Sequence, residues 1–105
     1  MPAAKPGEIW RIDLGMVAKV RPCLVLTPPP RNDELDVFTV IAHTTSTRGN
    51  KWEISITKSF LDREGVFDVQ RVAMVACVKL ERKLGELSAS EMNSVLDRLA
   101  DRSGI

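Results

Sequence analysis

The chain has 105 residues, of which 44% are hydrophobic and 28% charged, which is the balance of one globular domain rather than of a disordered segment. Lys and Arg total 15 and Asp and Glu total 14, so the formal net charge of +1 excludes a polycation that binds nucleic acid through its overall field. No apolar run approaches the roughly 20 residues that span a bilayer and no signal peptide opens the chain, so we expect a cytoplasmic protein without a membrane partner.

Short alternating or β-branched segments dominate the first part of the chain, after a loose N-terminal arm over residues 1–6. In the segment EIWRIDL, the side chains of Trp10, Ile12 and Leu14 share one face, which is the period of a half-buried strand. A short connection then leads to the next strand. The predicted strands of this part are residues 8–14, 20–27, 35–43 and 51–57.

The middle of the chain predicts a change from strand to turn and back to strand. Residues 58–63 predict a single helical turn, which Gly65 would close as a C-terminal cap. Residues 66–80 predict one or two further strands. The continuous apolar run over residues 72–78 indicates a central strand that is covered on both faces.

The end of the chain predicts a helix over residues 88–101. Ser88 and Glu91 have the spacing of a capping box, and apolar residues follow at helical spacing. Strands followed by a helix, without strand–helix alternation, favour an α+β fold in one domain over residues 1–105. We therefore expect a small, strongly bent antiparallel sheet or barrel with a C-terminal helix.

The two cysteines, Cys23 and Cys77, each lie among apolar residues. We expect reduced thiols in the core, and a disulfide or a metal pair is the less favoured alternative. The chain has one histidine and no Cys/His cluster with zinc spacing, so the sequence predicts no metal site.

No catalytic motif is evident from spacing alone, but two polar features are suggestive. Arg21 precedes a proline at a predicted strand start, where its guanidinium can present a rigid fork to a phosphate. The alternative is a surface arginine paired with a carboxylate. The hydroxyl-rich loop that begins with Thr44 and Thr45 can offer donors to a phosphate, or it can be a solvated turn.

Other side chains near this loop also have two interpretations. His43, the sole histidine, has a pKa suited to proton transfer, although a structural histidine is the favoured alternative. Arg48 and Lys51 would add positive charge beside the loop, or they are simply solvated. Trp10 and Trp52 can stack on an unpaired base, but core packing is favoured for both.

Several segments resemble, in order, those of the MazF/PemK toxins of toxin–antitoxin systems. GEIW and the following DL, within residues 7–14, resemble the opening of that family, and RPCLVL at residues 21–26 resembles its RP-x-LVL strand. VIAHTT at residues 40–45 is similar to its apolar strand that ends in a Thr pair. Gln70 and the LGEL segment at residues 84–87 resemble the part before its final helix.

The resemblance implies an SH3-like, CcdB/PemK-like barrel that works as a homodimer. It implies an endoribonuclease that needs no metal or other cofactor, cleaves single-stranded RNA such as mRNA at short sequences, and is inhibited by a cognate antitoxin. By position, Arg21 matches the catalytic arginine, and either Thr44 or Thr45 matches the catalytic hydroxyl residue. The RNA contacts that we expect in addition are His43, Arg48, Lys51 and Gln70.

The chemistry of RNA cleavage is consistent with these residues. When a 2′-hydroxyl attacks the adjacent phosphate, an arginine fork and a hydroxyl donor can stabilise the added negative charge without a metal. Because arginine stays protonated near neutral pH, we assign Arg21 to phosphate stabilisation, with leaving-group protonation as a further role, and Thr44 or Thr45 to phosphate contact.

One departure from the family pattern bears on RNA selectivity. The connection from Leu14 to Arg21 lacks the Gly-x-Glu segment of many relatives, so selectivity for RNA sequence can be loose or altered. Two alternative functions remain open. One is a non-catalytic module of the same fold that poisons a protein target such as gyrase, and the other is an unrelated small structural domain.

Overall fold

The computed structural model describes residues 3–15 and 19–105; the predicted connection before the second strand falls partly on residues 16–18, outside the described residues. In the described part of the chain, a short 3-10 turn (Cys77–Lys79) lies between the last two strands of the sheet. The one α-helix in these described residues is neither long enough nor apolar enough to cross a membrane. The strands and helix are β1 (Glu8–Asp13), β2 (Val20–Val25), β3 (Val37–Thr44), β4 (Glu53–Ser55), β5 (Val66–Ala76), β6 (Leu80–Glu86) and α1 (Ala89–Ser103).

These strands form one antiparallel sheet in the order β4-β5-β3-β2-β1-β6. The pairing of β1 with β6 and the pairing of β3 with β5 both shift register, and such bulges bend a sheet. The predicted α+β fold, with a bent antiparallel sheet and a C-terminal helix, is confirmed.

Apolar side chains pack on both faces of the central strands. In β2, Leu24 belongs to the core cluster under α1, whereas Cys23 and Val25 belong to a second cluster on the opposite face. Ala4 is fully buried in that second cluster, so this residue of the predicted loose arm is packed rather than loose. Trp10 and Trp52 pack against the second and the first cluster respectively, which confirms the interpretation as core residues.

The helix begins where the capping box predicts. Ser88 Oγ accepts a hydrogen bond from the Glu91 backbone N–H at 3.1 Å, and Glu91 Oε1 accepts one from the Ser88 backbone N–H at 2.8 Å. Gly104 ends the helix in the left-handed conformation, with φ of 78°. Glu91 Oε1 also lies 2.7 Å from Lys58 Nζ, which ties the loop before β5 to the helix N-terminus.

The predicted helical turn over residues 58–63 is wrong. This segment is an irregular loop in which the Leu61 backbone N–H donates to the Lys58 carbonyl at 3.0 Å. Gly65 does not have the positive φ of a helix cap. Its role is close approach, because a Cβ at this position would collide with the Thr44 carbonyl oxygen and lie 2.8 Å from His43 Cε1.

The predicted burial of residues 72–78 on both faces is also wrong. Val72 is 41% exposed, Met74 68% and Val78 80%. The physical reason is the extent of the core cluster under α1, which includes residues of β5 only as far as Val69. The second half of β5 therefore extends beyond the cover that the first half receives.

Both cysteines are buried free thiols, as the sequence predicted. Burial raises the pKa of the Cys23 thiol to about 12, although the nearby charge of Arg21 acts in the opposite direction. Burial also raises the pKa of Cys77. These two thiols are core residues, with no role in the site described below.

Candidate active site

A cleft of about 510 Å³ opens where the start of β2 and the end of β3 meet the loop before β5. We call it the basic cleft. Its charged lining comprises Arg11, Lys19, Arg21, Arg63, Arg82 and, as the single acid, Asp62. Arg11 is paired with Glu81 at 2.9 Å, and the other four cations around one carboxylate make this a site for anionic groups, even though the net charge of the whole chain is only +1.

Arg21 lies near the start of β2, opposite Ile12 of β1, and is half-buried. Pro22 follows it in the strand and also lines the cleft. Arg21 and His43 line the same cleft, and the positive charge of Arg21 contributes, after burial, to lowering the pKa of His43. The structure thus places the predicted phosphate-binding arginine in the cleft beside the sole histidine.

His43 is 6% exposed and lines the basic cleft from the end of β3. Its ring meets Phe67 of β5 edge-on, with ring centroids 5.0 Å apart and planes at 62°, and Gly65 leaves the space that the ring occupies. His43 Nε2 is buried without a hydrogen-bond partner. Burial, and secondarily the charge of Arg21, lower the pKa of this imidazole, so it is neutral near pH 7.

The structure separates the two adjacent threonines. Thr44 is 3% exposed, and its Oγ1 accepts a hydrogen bond from the Ser46 backbone N–H at 3.0 Å, so this hydroxyl holds the turn. Thr45 is exposed and lines the basic cleft together with Arg21. Thr45 is therefore the threonine whose hydroxyl shares the cleft with the guanidinium.

The other three predicted RNA contacts do not line the basic cleft. The Arg48 backbone N–H donates to Glu53 at 2.8 Å, and its side chain lies on the exposed loop before β4. Lys51 Nζ lies 3.6 Å from Asp101 of the helix. Gln70 is exposed on β5, where its Oε1 lies 3.5 Å from Asn50 Nδ2 of that loop. These side chains form a second, separate group on the surface.

Several residues of the cleft carried no recognisable signal in the sequence. Arg82 of β6 lies directly opposite Arg11 of β1, and the pairing of these two distant strands is what brings them together. Phe60 closes the cleft from the loop before β5, and a Cβ at Gly85 would lie 2.6 Å from Phe60 Cζ. The close approach of Phe60 therefore explains why a glycine occupies this position of β6.

A second pocket of about 560 Å³ adjoins the basic cleft. We call it the hydroxyl pocket. Thr45, Asp62 and Arg63 line both cavities, so the two are contiguous. The polar lining that belongs to the hydroxyl pocket alone consists of Thr47, Ser55, Thr57, Lys58 and Glu64.

Comparison with known proteins gives a match to a family model. Residues 5–102 match the family model described as the PemK-like, MazF-like toxin of type II toxin–antitoxin systems. No curated protein gives a significant match to the chain.

Solved structures share the fold at low identity. One is an endoribonuclease in complex with its cognate antitoxin from a mycobacterial species, with a TM-score of 0.80, 24% identity, and coverage of 98% of this chain and 97% of that chain. Another is the MazE–MazF complex of Deinococcus radiodurans, with a TM-score of 0.80, 18% identity, and coverage of 100% and 99%. A third is the Mycobacterium tuberculosis toxin MazF-mt6, with a TM-score of 0.78, 24% identity, and coverage of 93% and 97%.

Proposed function

Since the chain belongs to the PemK-like, MazF-like toxin family of type II toxin–antitoxin systems, we propose that it is an endoribonuclease that cleaves single-stranded RNA, mRNA in particular, in the basic cleft. The observation that carries the proposal is the meeting of Arg21 and Thr45 in one cationic cleft. A module that only binds a protein has no need of an arginine fork and a hydroxyl aimed at the same space.

The reaction is an in-line attack of the 2′-oxygen on the adjacent phosphorus. The bond from the 2′-oxygen to phosphorus forms, the bond from phosphorus to the 5′-oxygen breaks, and a 2′,3′-cyclic phosphate and a 5′-hydroxyl result. The guanidinium of Arg21 and the hydroxyl of Thr45 donate hydrogen bonds to the phosphoryl oxygens, where negative charge develops. Because these donors supply the stabilisation, the scheme requires no metal or other cofactor.

Proton transfer must accompany this attack: the 2′-hydroxyl gives its proton to solvent water in the open cleft, and the leaving 5′-oxygen gains one. Arg21, which is protonated at neutral pH, can give a proton to the leaving oxygen and regain one from water, but it is unsuited to accept the proton of the 2′-hydroxyl. His43 contacts the RNA in the same cleft as a neutral imidazole, whose lowered pKa keeps it able to accept a hydrogen bond. Thr44 supports the site by fixing the turn that presents Thr45.

RNA that extends beyond the basic cleft meets the surface group of Arg48, Lys51 and Gln70. These side chains are exposed, and they lie on the loop that leads away from Thr45 and on the neighbouring strand. Two cations there suit the backbone phosphates of a flanking segment. We assign them to RNA binding and not to the chemical step.

The proposed working unit is a homodimer that a cognate antitoxin inhibits. The exposed apolar strip of Val72, Met74 and Val78 supports a contact with a second copy. A basic cleft is also the surface that an acidic antitoxin segment can occupy, and solved relatives include complexes with antitoxins. Because mRNA and such a partner both reside in the cytoplasm, we place the protein there.

The decisive experiment is RNA cleavage in EDTA. Purified protein is incubated with a long single-stranded RNA, and we expect Arg21→Ala to lower the cleavage rate about 100-fold to 1,000-fold, because it removes a donor to the developing charge. The matched control is Arg31→Ala, an exposed arginine outside both cavities, which should cleave at the wild-type rate. Thr45→Ala should lose more activity than Thr44→Ala.

Two results would overturn the proposal. Intact RNA after incubation with folded wild-type protein would exclude the nuclease and favour the non-catalytic alternative, a module that poisons a protein target such as gyrase. Equal cleavage by wild type and Arg21→Ala would show that the arginine in the basic cleft does not carry the reaction.

A further inference from the structure

The hydroxyl pocket differs from the basic cleft in its charge. Of its four charged lining residues, two are cations and two are acids, and Lys58 is engaged by Glu91 at 2.7 Å. Arg63 is then left beside two carboxylates, those of Asp62 and Glu64. A phosphate would be repelled by this pair of acids, so an RNA backbone does not fit the pocket as it fits the basic cleft.

The remaining lining suits a neutral, planar and polar group. Thr45, Thr47 and Thr57 contribute hydroxyls that can both donate and accept hydrogen bonds. Ile56 and Leu61 give the same pocket an apolar wall. A volume of about 560 Å³ is within the range of roughly 300–1,000 Å³ that is usual for small-ligand pockets. An unpaired nucleobase has this combination of an apolar face and a polar edge.

The position of the pocket links it to the reaction. Thr45 lines both cavities, so a nucleotide whose phosphate contacts Thr45 in the basic cleft is adjacent to the hydroxyl pocket. We propose that the hydroxyl pocket binds an unpaired base beside the scissile phosphate and selects cytosine or adenine; this inference rests on the proposed RNA cleavage. Glu64 accepts a hydrogen bond from the exocyclic amino group, and Arg63 or a hydroxyl donates to the ring nitrogen beside it.

Keto bases oppose this arrangement. Uracil and guanine present a carbonyl oxygen at the position where cytosine and adenine present the amino group, so the carboxylate of Glu64 would face an acceptor and one hydrogen bond would be lost. Glu64 is the side chain to test, because it lines the hydroxyl pocket and not the basic cleft. Its replacement should change the choice of base and leave phosphate binding intact.

The experiment uses a pool of single-stranded RNAs with a randomised segment and sequences the cleaved ends. Wild type should favour cytosine or adenine over uracil and guanine at one position beside the cut, and Glu64→Ala should reduce that preference about tenfold, as expected for one lost base-edge hydrogen bond. Because the lost hydrogen bond is made to the preferred bases alone, cleavage beside cytosine or adenine should slow, whereas cleavage beside uracil and guanine should not. Glu34→Ala, an exposed glutamate outside both cavities, is the matched control and should keep the wild-type preference.

The possible outcomes distinguish a failure of the base-pocket proposal from a failure of the ribonuclease proposal. If wild type cleaves the pool with no amino-base preference beside the cut, or if Glu64→Ala keeps the preference, the base pocket is overturned while the ribonuclease stands. If folded wild type leaves the pool uncut, the ribonuclease itself is overturned and the base pocket with it. Thr57→Val, which removes one exposed hydroxyl of the pocket, is a second variant and should weaken the same preference.

Discussion

The two halves of β5 have opposite environments although both are rich in apolar residues. The first half, residues 66–69, is buried, and Phe67 within it is fully covered by the core cluster under α1. The second half carries Met74 at 68% exposure, with Val72 also exposed on the same side of the strand. Apolar character is therefore the same in both halves, and the difference lies in which neighbouring elements reach them.

The exposed half of β5 has the features of a surface that contacts another chain. Beyond Val69, which donates to the Trp52 carbonyl at 3.0 Å, no strand in the described part of the chain pairs with the outer edge of β5. An open strand edge beside exposed apolar side chains favours association with another chain. One half of β5 therefore serves the fold of the single chain, whereas the other half is exposed and would contact the second copy in the proposed homodimer.

The largest expected effect comes from the buried half. Phe67→Ala should lower the free energy of unfolding by about 3–5 kcal/mol, because it leaves a cavity in the core and removes the support of the His43 ring. Urea unfolding followed by circular dichroism measures the loss, which should be the same at every protein concentration. A loss below that of Leu96→Ala, a truncation on the exposed side of the helix, would show that residues 66–69 do not form the core.

A charge introduced into the exposed half of β5 should weaken dimerisation and leave the folding of the single chain unaffected. Met74→Asp should leave the folded chain intact but raise the dimer dissociation constant about 100-fold, because symmetry places a buried carboxylate on both sides of the contact. Light scattering should give a mass near twice 11.7 kDa for wild type and for Met74→Leu, and near 11.7 kDa for Met74→Asp. A monomeric wild type at micromolar concentration would contradict the assembly role of this half.

This contrast also shows how far the sequence could predict the molecule. The helix start at Ser88 follows from hydrogen bonds within four residues, so the local pattern was sufficient. The exposure of Met74 depends on where the core cluster under α1 ends, which other segments of the chain determine, whereas the apolar run alone indicated burial. Structure that depends on one segment could be predicted from its sequence, whereas burial that depends on another segment could not.

The candidate site shows the same limit. Arg21 was identified from its place before a proline in a segment that resembles a known family, but Thr44 and Thr45 were indistinguishable as neighbours. They differ because the end of β3 buries the first hydroxyl in a turn and exposes the second. Arg82 reaches the cleft only because β6 pairs with β1, and no local pattern contains that information.

The smallest expected effect is a pH dependence of stability that arises at His43, whose ring packs against the buried half of β5. His43 rests on Phe67, and its pKa is lowered from the usual 6.5 by burial and by Arg21. Between that usual value and the lowered one, the unfolded chain binds a proton that the folded chain does not, so unfolding becomes easier as the pH falls. The free energy of unfolding should therefore be nearly constant between about pH 7 and about pH 8 and decrease below about pH 6.5, by at most about 1.4 kcal/mol per pH unit.

Because His43 is the only histidine, one variant isolates the effect. Urea unfolding of wild type at pH 7.5 and pH 5.5 should show the decrease, and His43→Asn should show a smaller one, since asparagine does not titrate in this range. The groups that face this imidazole are Arg21 from β2 and the charged lining of the basic cleft, which has only one acid, so neutralising Arg21 should make the decrease shallower. An equal decrease in wild type and His43→Asn would place the titrating group elsewhere and would separate the histidine from the stability of the buried half.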